Sequence, residues 1–265
     1  MKTQTVFATF AFALFFGGAA SLTRAGDNPA ELSMPDILSR AAKKYASLNS
    51  YQDEGSTTAT LGKITAVNYT FNIKLARTNL YQVVWWQGDE NFTPKGAVWS
   101  ADDGDYLWMG KGFTPRKDSG MELALAGATG ISGGAASSIP GTFFNLKWGN
   151  QLGLVNAGGK RMADEKIGDV DCYVLSHGSD GRTNILWIGK SDFLIHQIEN
   201  DTSAALLKKT MEEQAKNNPQ IRTMLDAAGT QMFQDSKSVE THRNIVLNPS
   251  LFPKDFDFQP PAPSK

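Results

Sequence analysis

The strongest pattern in this 265-residue chain is an alternation of apolar and polar side chains between residues 67 and 85. One set of alternate positions in its first half is entirely apolar: Val67, Tyr69, Phe71, Ile73 and Leu75. After a turn at residues 77–79, the alternation resumes with Tyr81, Val83 and Trp85. Successive side chains of a strand point to opposite faces of a sheet. The pattern therefore predicts two antiparallel strands that share one apolar face.

Further strand-like stretches on both sides predict that these two strands belong to a larger sheet. A Thr-rich stretch precedes them at residues 55–61, and an Asp-Gly hairpin signal at residues 101–104 joins two more stretches. The later candidates are residues 170–177, 184–189, 193–199 and 239–247. Short turns between such stretches are typical of an antiparallel meander. The sequence lacks the strand–helix repeats with glycine-rich phosphate loops that mark nucleotide-binding sheets.

Helical patterns precede and interrupt the predicted sheet. Ser33 is typical of a helix N-cap, Pro35 and Asp36 suit a first turn, and apolar residues follow at helical spacing. These apolar positions are Ile37, Leu38, Ala41, Ala42, Tyr45 and Leu48. Residues 202–237 predict two amphipathic helices with a break at Asn217-Asn218-Pro219. We expect the first helix to lie on the apolar face of the sheet.

Residues 127–141 consist almost entirely of Gly, Ala, Ser and Thr, and they follow a short predicted helix at residues 121–128. Such a composition buries little surface by itself and favours flexibility. Because the segment lies between two groups of strands, it is predicted to be either a movable lid over the sheet or a disordered surface loop. The sequence leaves both alternatives open.

Composition and charge bound the class of protein. A hydrophobic content of 41% is sufficient for a packed core. Lys2, an apolar run over residues 6–16 and small residues up to Ala25 predict a signal peptide, residues 1–25, with Ala20 as a second cleavage site. Without Lys2 and Arg24, 24 basic and 27 acidic residues remain, a net charge of −3. This charge excludes a basic field for nucleic acid, and no later segment is long enough to span a bilayer.

Residues that could bind metals or react as nucleophiles are few. Cys172 is the only cysteine, so an internal disulfide is excluded, and its strand-like surroundings predict a buried apolar role. Acidic residues 102–105 lack the spacing and distal Glu of a calcium loop. Metal-ligand spacing is also lacking for the three histidines, His177, His196 and His242. We therefore expect neither a metal ion nor a cofactor.

One motif suggests catalysis. Gly130-Ile131-Ser132-Gly133-Gly134 matches the G-x-S-x-G pattern of hydrolases, in which the central serine is the nucleophile. That chemistry requires a buried strand before the motif and a helix after it, whereas a run of small residues surrounds it here. We expect no catalytic residue, and a hydrolase that uses Ser132 is kept as an alternative.

Motifs at several places along the chain occur in a characteristic order. An amphipathic helix ends in residues 45–51, and residues 77–81 are similar to an Arg-Pro-x-aromatic turn, with Thr78 in place of proline. Residues 103–108 are similar to a DG-x-x-LW hairpin, and residues 256–261 to a terminal F-x-F-x-P-P. Late strands follow at residues 168–175, 186–188 and 194–198. In this order the chain resembles the LolA/LolB-like periplasmic lipoprotein-binding family and its relatives, the outer-membrane lipoprotein-sorting proteins.

The resemblance implies an α+β fold with one LolA-like half-barrel domain over residues 26–261. This domain would be an incomplete antiparallel β-barrel, a curved sheet with helices covering its concave face. Residues 202–237 would be a helical insertion and residues 262–265 a loose tail. The resemblance also implies a periplasmic protein that carries a lipid or lipoprotein acyl chain in a hydrophobic cavity. Arg77 would be the family's arginine that helps to hold the lid closed.

A hydrophobic ligand needs apolar area rather than placed polar atoms, and the alternating strands supply such area. The predicted wall of the ligand site comprises Tyr69, Phe71, Ile73, Leu75, Tyr81, Val83, Trp85, Leu107 and Met109. The same row could instead pack against the first helix as an ordinary core. A further alternative is a signalling or assembly module that binds an envelope protein partner through the helical pair.

Overall fold

The structure, a computed structural model, describes residues 31–77, 79–88, 94–228 and 233–261. The predicted signal peptide and the predicted loose tail at residues 262–265 lie outside the described residues. So does Thr78, the residue that replaces the proline of the family's turn.

The described residues form one antiparallel sheet of twelve strands. Their order across the sheet is β6-β5-β4-β3-β2-β1-β12-β11-β10-β9-β7, and β8 pairs with β9. The outer strands β6 and β7 do not pair with each other, so the sheet is open, as expected for an incomplete barrel. The strands are β1 (Ser50–Leu61), β2 (Ile64–Ala76), β3 (Leu80–Gln87), β4 (Gly96–Ala101), β5 (Gly104–Trp108), β6 (Arg116–Asp118), β7 (Lys160–Arg161), β8 (Glu165–Ile167), β9 (Val170–Ser179), β10 (Arg182–Gly189), β11 (Ile195–Thr202) and β12 (Ser236–Leu247).

The predicted alternation is confirmed in β2 and β3. Phe71, Ile73 and Leu75 are buried, whereas the intervening Asn72 and Lys74 are partly exposed. The connecting turn contains Asn79, whose φ of 67° lies in the left-handed region that asparagine tolerates better than most residues. The Asp-Gly signal likewise forms the turn between β4 and β5.

Six helices occur in the described ranges: α1 (Met34–Ser47), α2 (Met121–Thr129), α3 (Ser138–Phe143), α4 (Gln151–Asn156), α5 (Ala204–Ala215) and α6 (Pro219–Ala228). At the start of α1, the hydroxyl of Ser33 accepts a hydrogen bond from the backbone N–H of Asp36, as the cap signal predicted. Helices α5 and α6 connect β11 to β12 and meet at the predicted break. The short helices α3 and α4 were not predicted.

Residues 121–143, which we call the lid segment, cross one face of the sheet. Helix α2 contacts β4, β5 and β6 at one end, and α3 contacts α1 and α4 at the other. Between them, Gly133 lies so close to β1 and β2 that an added Cβ would come within 3.0 Å of Thr57 Cγ2 and 3.3 Å of Tyr69 Cδ2. Ser132 and residues 135–143 are buried. The prediction of a disordered surface loop is therefore wrong, because packing against the sheet orders a segment that has little structure of its own.

The opposite, convex face of the same strands is covered by the C-terminal segment, which we define as residues 252–261. A 3-10 turn at Pro253–Asp255 leads to Phe256, which is fully buried. The ring centroid of Phe258 lies 5.3 Å from that of Trp99 and 5.8 Å from that of Trp108. Gln82 Nε2 also donates a hydrogen bond of 3.0 Å to the carbonyl of Phe256. The segment thus completes a second hydrophobic core with Val84, Ala97 and Trp86.

Candidate functional site

The structure brings most of the predicted wall together on the concave face. Its strands are in register, with Ile73 opposite Val83, and Val98 between Val83 and Leu107. Tyr69 is half-buried. The other wall residues on this face are no more than 2% exposed: Phe71, Ile73, Leu75, Tyr81, Val83, Trp85 and Leu107. Met109 does not join them, because β5 ends at Trp108 and the alternation ends with it; Met109 is 42% exposed.

Glycines allow close packing on both sides of this wall, in the sheet beneath it and in the lid segment above it. The ring of Phe71 lies over Gly55, and the indole of Trp85 lies over Gly96; a Cβ on either glycine would clash with the ring above it. On the lid side, a Cβ at Gly127 would come within 3.3 Å of Leu107 Cδ2. The large apolar side chains therefore lie flat against the sheet, and the lid segment, in which small residues alternate with the buried Leu125 and Ile139, shields them from water. That an acyl chain takes the place of this segment stays a prediction.

A groove of about 610 Å³ lies between α1, α3 and α4. This volume falls within the range of sites for small-molecule ligands, roughly 300–1,000 Å³. Its lining residues are Pro35, Leu38, Ser39, Ala42, Ala46, Arg77, Thr142, Phe143, Asn145, Asn150, Leu152, Gly153 and Asn156. Ala42 was predicted to face the sheet, yet it is exposed and lines the groove, so α1 presents one apolar face inward and a second, smaller one to the groove.

Arg77 joins three elements at one end of the groove. Its Nε donates to the carbonyl of Leu48 (3.0 Å) and its Nη2 to that of Tyr45 (2.8 Å), both at the C-terminal end of α1. Its Nη1 donates to the carbonyl of Phe143 (2.8 Å) at the end of α3, and the guanidinium carbon lies 4.1 Å from the Phe143 ring centroid. Burial lowers the pKa of Arg77 from its ordinary value. The predicted lid arginine thus contacts the last residue of the lid segment; that it controls lid opening stays a prediction.

A buried polar network lies at the centre of the concave face, and sequence reasoning missed it. His242 Nδ1 lies 2.7 Å from Asp53 Oδ2, which also accepts a 2.7 Å hydrogen bond from the hydroxyl of Tyr51. His242 Nε2 lies 3.1 Å from Glu240 Oε1, which is ion-pair distance without hydrogen-bond geometry. Glu240 in turn accepts a hydrogen bond from the hydroxyl of Ser138 in α3. The network therefore connects β1 and β12 to the lid segment.

Electrostatics make His242 a buried cation. Burial by itself lowers the pKa of its imidazole, but the carboxylates of Asp53 and Glu240 more than offset this and raise it to about 10. Two further buried polar atoms of the face, Asp53 Oδ1 and Thr57 Oγ1, have no hydrogen-bond partner in the described part of the chain. The sequence did contain a signal for this network, because polar residues occupy inward-facing positions of β1 (Asp53 and Thr57) and of β12 (Glu240 and His242). Nothing local indicated that they meet.

The alternative of a hydrolase finds no support around Ser132. Its hydroxyl donates to the carbonyl of Thr129 and accepts from the N–H of Ala136, so both interactions stay within the lid segment. Helix α2 precedes the motif where a nucleophile elbow requires a strand. Cys172 is buried as predicted, and burial raises the pKa of its thiol to about 11, which disfavours the reactive thiolate. In the described ranges, no group of three or more His, Cys, Asp or Glu side chains is arranged to hold a metal ion.

Comparisons with known proteins yield similarity in solved structures alone. No family model and no curated protein matches the chain. A DUF1329 family protein from Desulfovibrio piger is 12% identical, with 86% of this chain and 98% of that chain covered and a TM-score of 0.35. A LolA superfamily protein from Nitrosomonas europaea is also 12% identical, with coverages of 86% and 99% and a TM-score of 0.34. LprF from Mycobacterium bovis is 10% identical, with coverages of 88% and 97% and a TM-score of 0.42.

One of these structures is of a LolA superfamily protein, the family that the sequence motifs resemble. Similarity at these identities concerns the arrangement of strands and helices, and it carries no argument about ligand or partner. The fold class itself rests on the open antiparallel sheet and on the helices across its concave face.

Proposed function

We propose that this protein is an exported, non-catalytic carrier or sensor of a hydrophobic ligand, such as a lipid or a lipoprotein acyl chain. The supporting observation is that α3 belongs to two surfaces at once. Phe143 and Thr142 line the groove, and the same helix continues the lid segment that shields the predicted wall. A displacement of α3 would therefore join the groove to the wall. The acyl chain would enter at the groove and extend over the concave face.

The energetics favour such an exchange. Burial of an acyl chain of 16 carbons contributes on the order of 12 kcal/mol before the losses of association, at about 0.8 kcal/mol per CH2. Within the lid segment, residues 127–141 contribute less apolar area per residue, because most of them are Gly, Ala, Ser or Thr. Glycine also loses more backbone entropy than other residues when it becomes ordered. A long apolar ligand thus competes well with the lid segment for the same wall.

Export is the second component of the proposal. It is supported by the signal-peptide pattern at residues 1–25, and a periplasmic location by the resemblance to periplasmic carriers. Among the described helices, none combines the length and the apolarity that crossing a bilayer requires.

Filling the groove tests the proposal. Ala42→Trp places a large ring in the groove without removing a buried contact, whereas Lys43→Trp adds the same ring at an exposed neighbouring position that does not line the groove. We expect the first variant to bind a fluorescent fatty acid at least tenfold more weakly than the wild type, and the second to bind normally. A wild-type protein that takes up no fatty acid, and that carries no lipid in native mass spectrometry after purification from the cell envelope, would contradict the proposal.

A second candidate function is partner binding through α5 and α6. Ala215 is the only buried residue of α5, and α6 leaves Met224 44% exposed. The two helices contact each other more than any other described element. A helical pair that buries little of its own surface and exposes an apolar side chain is available to a protein partner.

A deletion separates the two functions. Thr202 at the end of β11 lies opposite Ser236 at the start of β12. Replacement of residues 203–235 by a two-residue Asn-Gly turn therefore keeps the pairing of β11 with β12 and removes the backbone hydrogen bonds of Ser203 with Gly181 and of Asp235 with Gly62 at neighbouring turns. Loss of a co-purifying envelope protein with unchanged fatty-acid binding would support the partner function, while loss of fatty-acid binding would place the helices in the ligand site.

A further inference from the structure

We propose that the ligand of the groove carries an anionic headgroup, a carboxylate or a phosphate, and that Arg77 binds it. This inference rests on the proposed function and adds the chemical class of the ligand. The groove would then accept a single-headed amphiphile, with its charge at Arg77 and the first part of its chain along α1, before the chain extends over the concave face.

The charge distribution of the groove supports an anion. Arg77 is the only charged side chain among its described lining residues; the others are apolar or carry a neutral amide or hydroxyl group. In the described part of the chain, the hydrogen-bond partners of the guanidinium are three backbone carbonyls and no carboxylate. Arg77 therefore places a full positive charge at the groove, and only the partial negative charges of helix ends balance it.

Arg77 also retains donors for a ligand. A guanidinium has five N–H groups, and three of them bind the carbonyls of Leu48, Tyr45 and Phe143. Each terminal nitrogen keeps one N–H. The three carbonyl contacts fix the plane of the group, so little side-chain entropy remains to be lost when an anion binds. Charge-assisted hydrogen bonds from such a fixed arginine are roughly twice as strong as neutral ones.

The position of Arg77 agrees with a head-and-chain ligand. It bonds to the C-terminal end of α1, beside Ala46, whereas Pro35 lines the groove at the N-terminal end. Ala46 lies eleven positions after Pro35, which corresponds to about 16.5 Å along the helix axis. The surface between them is largely apolar, with Leu38 and Ala42 on α1 and Leu152 on α4 facing it. The groove thus has a cationic end and an apolar length.

Three ligands with the same 12-carbon chain test this inference: dodecanoate, dodecyl phosphate and the uncharged dodecanol. We expect the wild type at pH 8 to bind at least one of the two anions tenfold or more tightly than dodecanol, as measured by displacement of a fluorescent fatty acid. Whichever anion binds more tightly identifies the headgroup. Equal binding of dodecanol and both anions would overturn the inference and leave the proposed function intact, whereas binding of none of the three would contradict the proposed function itself.

Variants assign the preference to Arg77. Arg77→Gln is expected to bind dodecanol as the wild type does and to lose the preference for the anions, while Arg77→Lys keeps part of it. Lys43→Gln removes a positive charge from the exposed side of α1 and serves as the control, with the preference unchanged. Circular dichroism confirms that each variant is folded before binding is measured. A preference that survives in Arg77→Gln would overturn the assignment, and the wild-type comparison remains decisive if that variant does not fold.

Discussion

The two faces of strands β3, β4 and β5 are covered by segments of opposite character. On the convex face, the C-terminal segment packs Phe258 against Trp99 and Trp108, and its Phe256 is fully buried. On the concave face, the lid segment covers an equally apolar surface mostly with small residues, among which the larger Leu125 and Ile139 are also buried, and its side-chain hydrogen bond to β12 is that of Ser138 with Glu240. The same strands thus have one cover with large side chains and one with small side chains.

The difference indicates which cover is permanent. Interlocking aromatic side chains lose a large transfer free energy and leave cavities when they separate, so the convex cover stabilises the fold. A cover in which small residues predominate loses less apolar contact when it moves, and an incoming apolar ligand can replace the contacts of its few large residues. The following predictions test this contrast between a permanent and an exchangeable cover.

The largest effect is expected on the convex face. Phe256→Ala removes a fully buried ring and should lower the free energy of unfolding by about 3–5 kcal/mol. Urea denaturation followed by tryptophan fluorescence measures the change. Phe252→Ala is the control, because that ring is 59% exposed and its loss should change stability by less than about 0.5 kcal/mol. If Phe256→Ala lowered the free energy of unfolding as little as Phe252→Ala does, the C-terminal segment would not stabilise the sheet.

The second effect is a dependence of stability on pH. The folded state raises the pKa of His242 from 6.5 to about 10, so its protonation stabilises the protein fully below pH 6.5 and this contribution is lost as pH rises through 10. We expect the free energy of unfolding to fall by a few kcal/mol between pH 7 and pH 10. His242→Gln should be less stable at pH 7 and should show a flatter profile. Lysines and tyrosines titrate in both proteins, so they contribute equally to both pH profiles of the free energy of unfolding. If the two profiles were parallel, His242 would be excluded as the origin of the pH dependence.

The smallest effect concerns the attachment of the lid segment. Ser138→Ala leaves the buried carboxylate of Glu240 without its hydroxyl donor and should cost about 1–3 kcal/mol. We also expect faster amide hydrogen exchange over residues 130–143, with the strands unaffected. Ser137→Ala is the matched control, because the Ser137 hydroxyl donates to the carbonyl of Gly134 within the lid segment. Equal rates of amide hydrogen exchange in the two variants would show that the polar network does not stabilise the packed position of the lid segment.

The sequence by itself determined the elements whose signals are local. Alternation over residues 67–85 predicted β2 and β3, the Asp-Gly pair predicted the hairpin of β4 and β5, and Ser33 predicted the start of α1. Each of these signals depends on residues within a few positions of one another, where periodicity and capping geometry act directly. Strand β7 and helix α4 have only 2 and 6 residues, too few for a periodic pattern, and they were missed.

Tertiary structure alone decided the contents of the candidate site. Asp53 and His242 are 189 residues apart in the chain, and Arg77 is 66 residues from Phe143; only the antiparallel order of the sheet and the path of the lid segment bring each pair into contact. The small-residue run of the lid segment, residues 127–141, has no strong local preference, so its order comes from the surface on which it lies. Ala42 is a further example. The sequence predicted that it belongs to helix α1, but its exposure to the groove depends on where α3 and α4 pack.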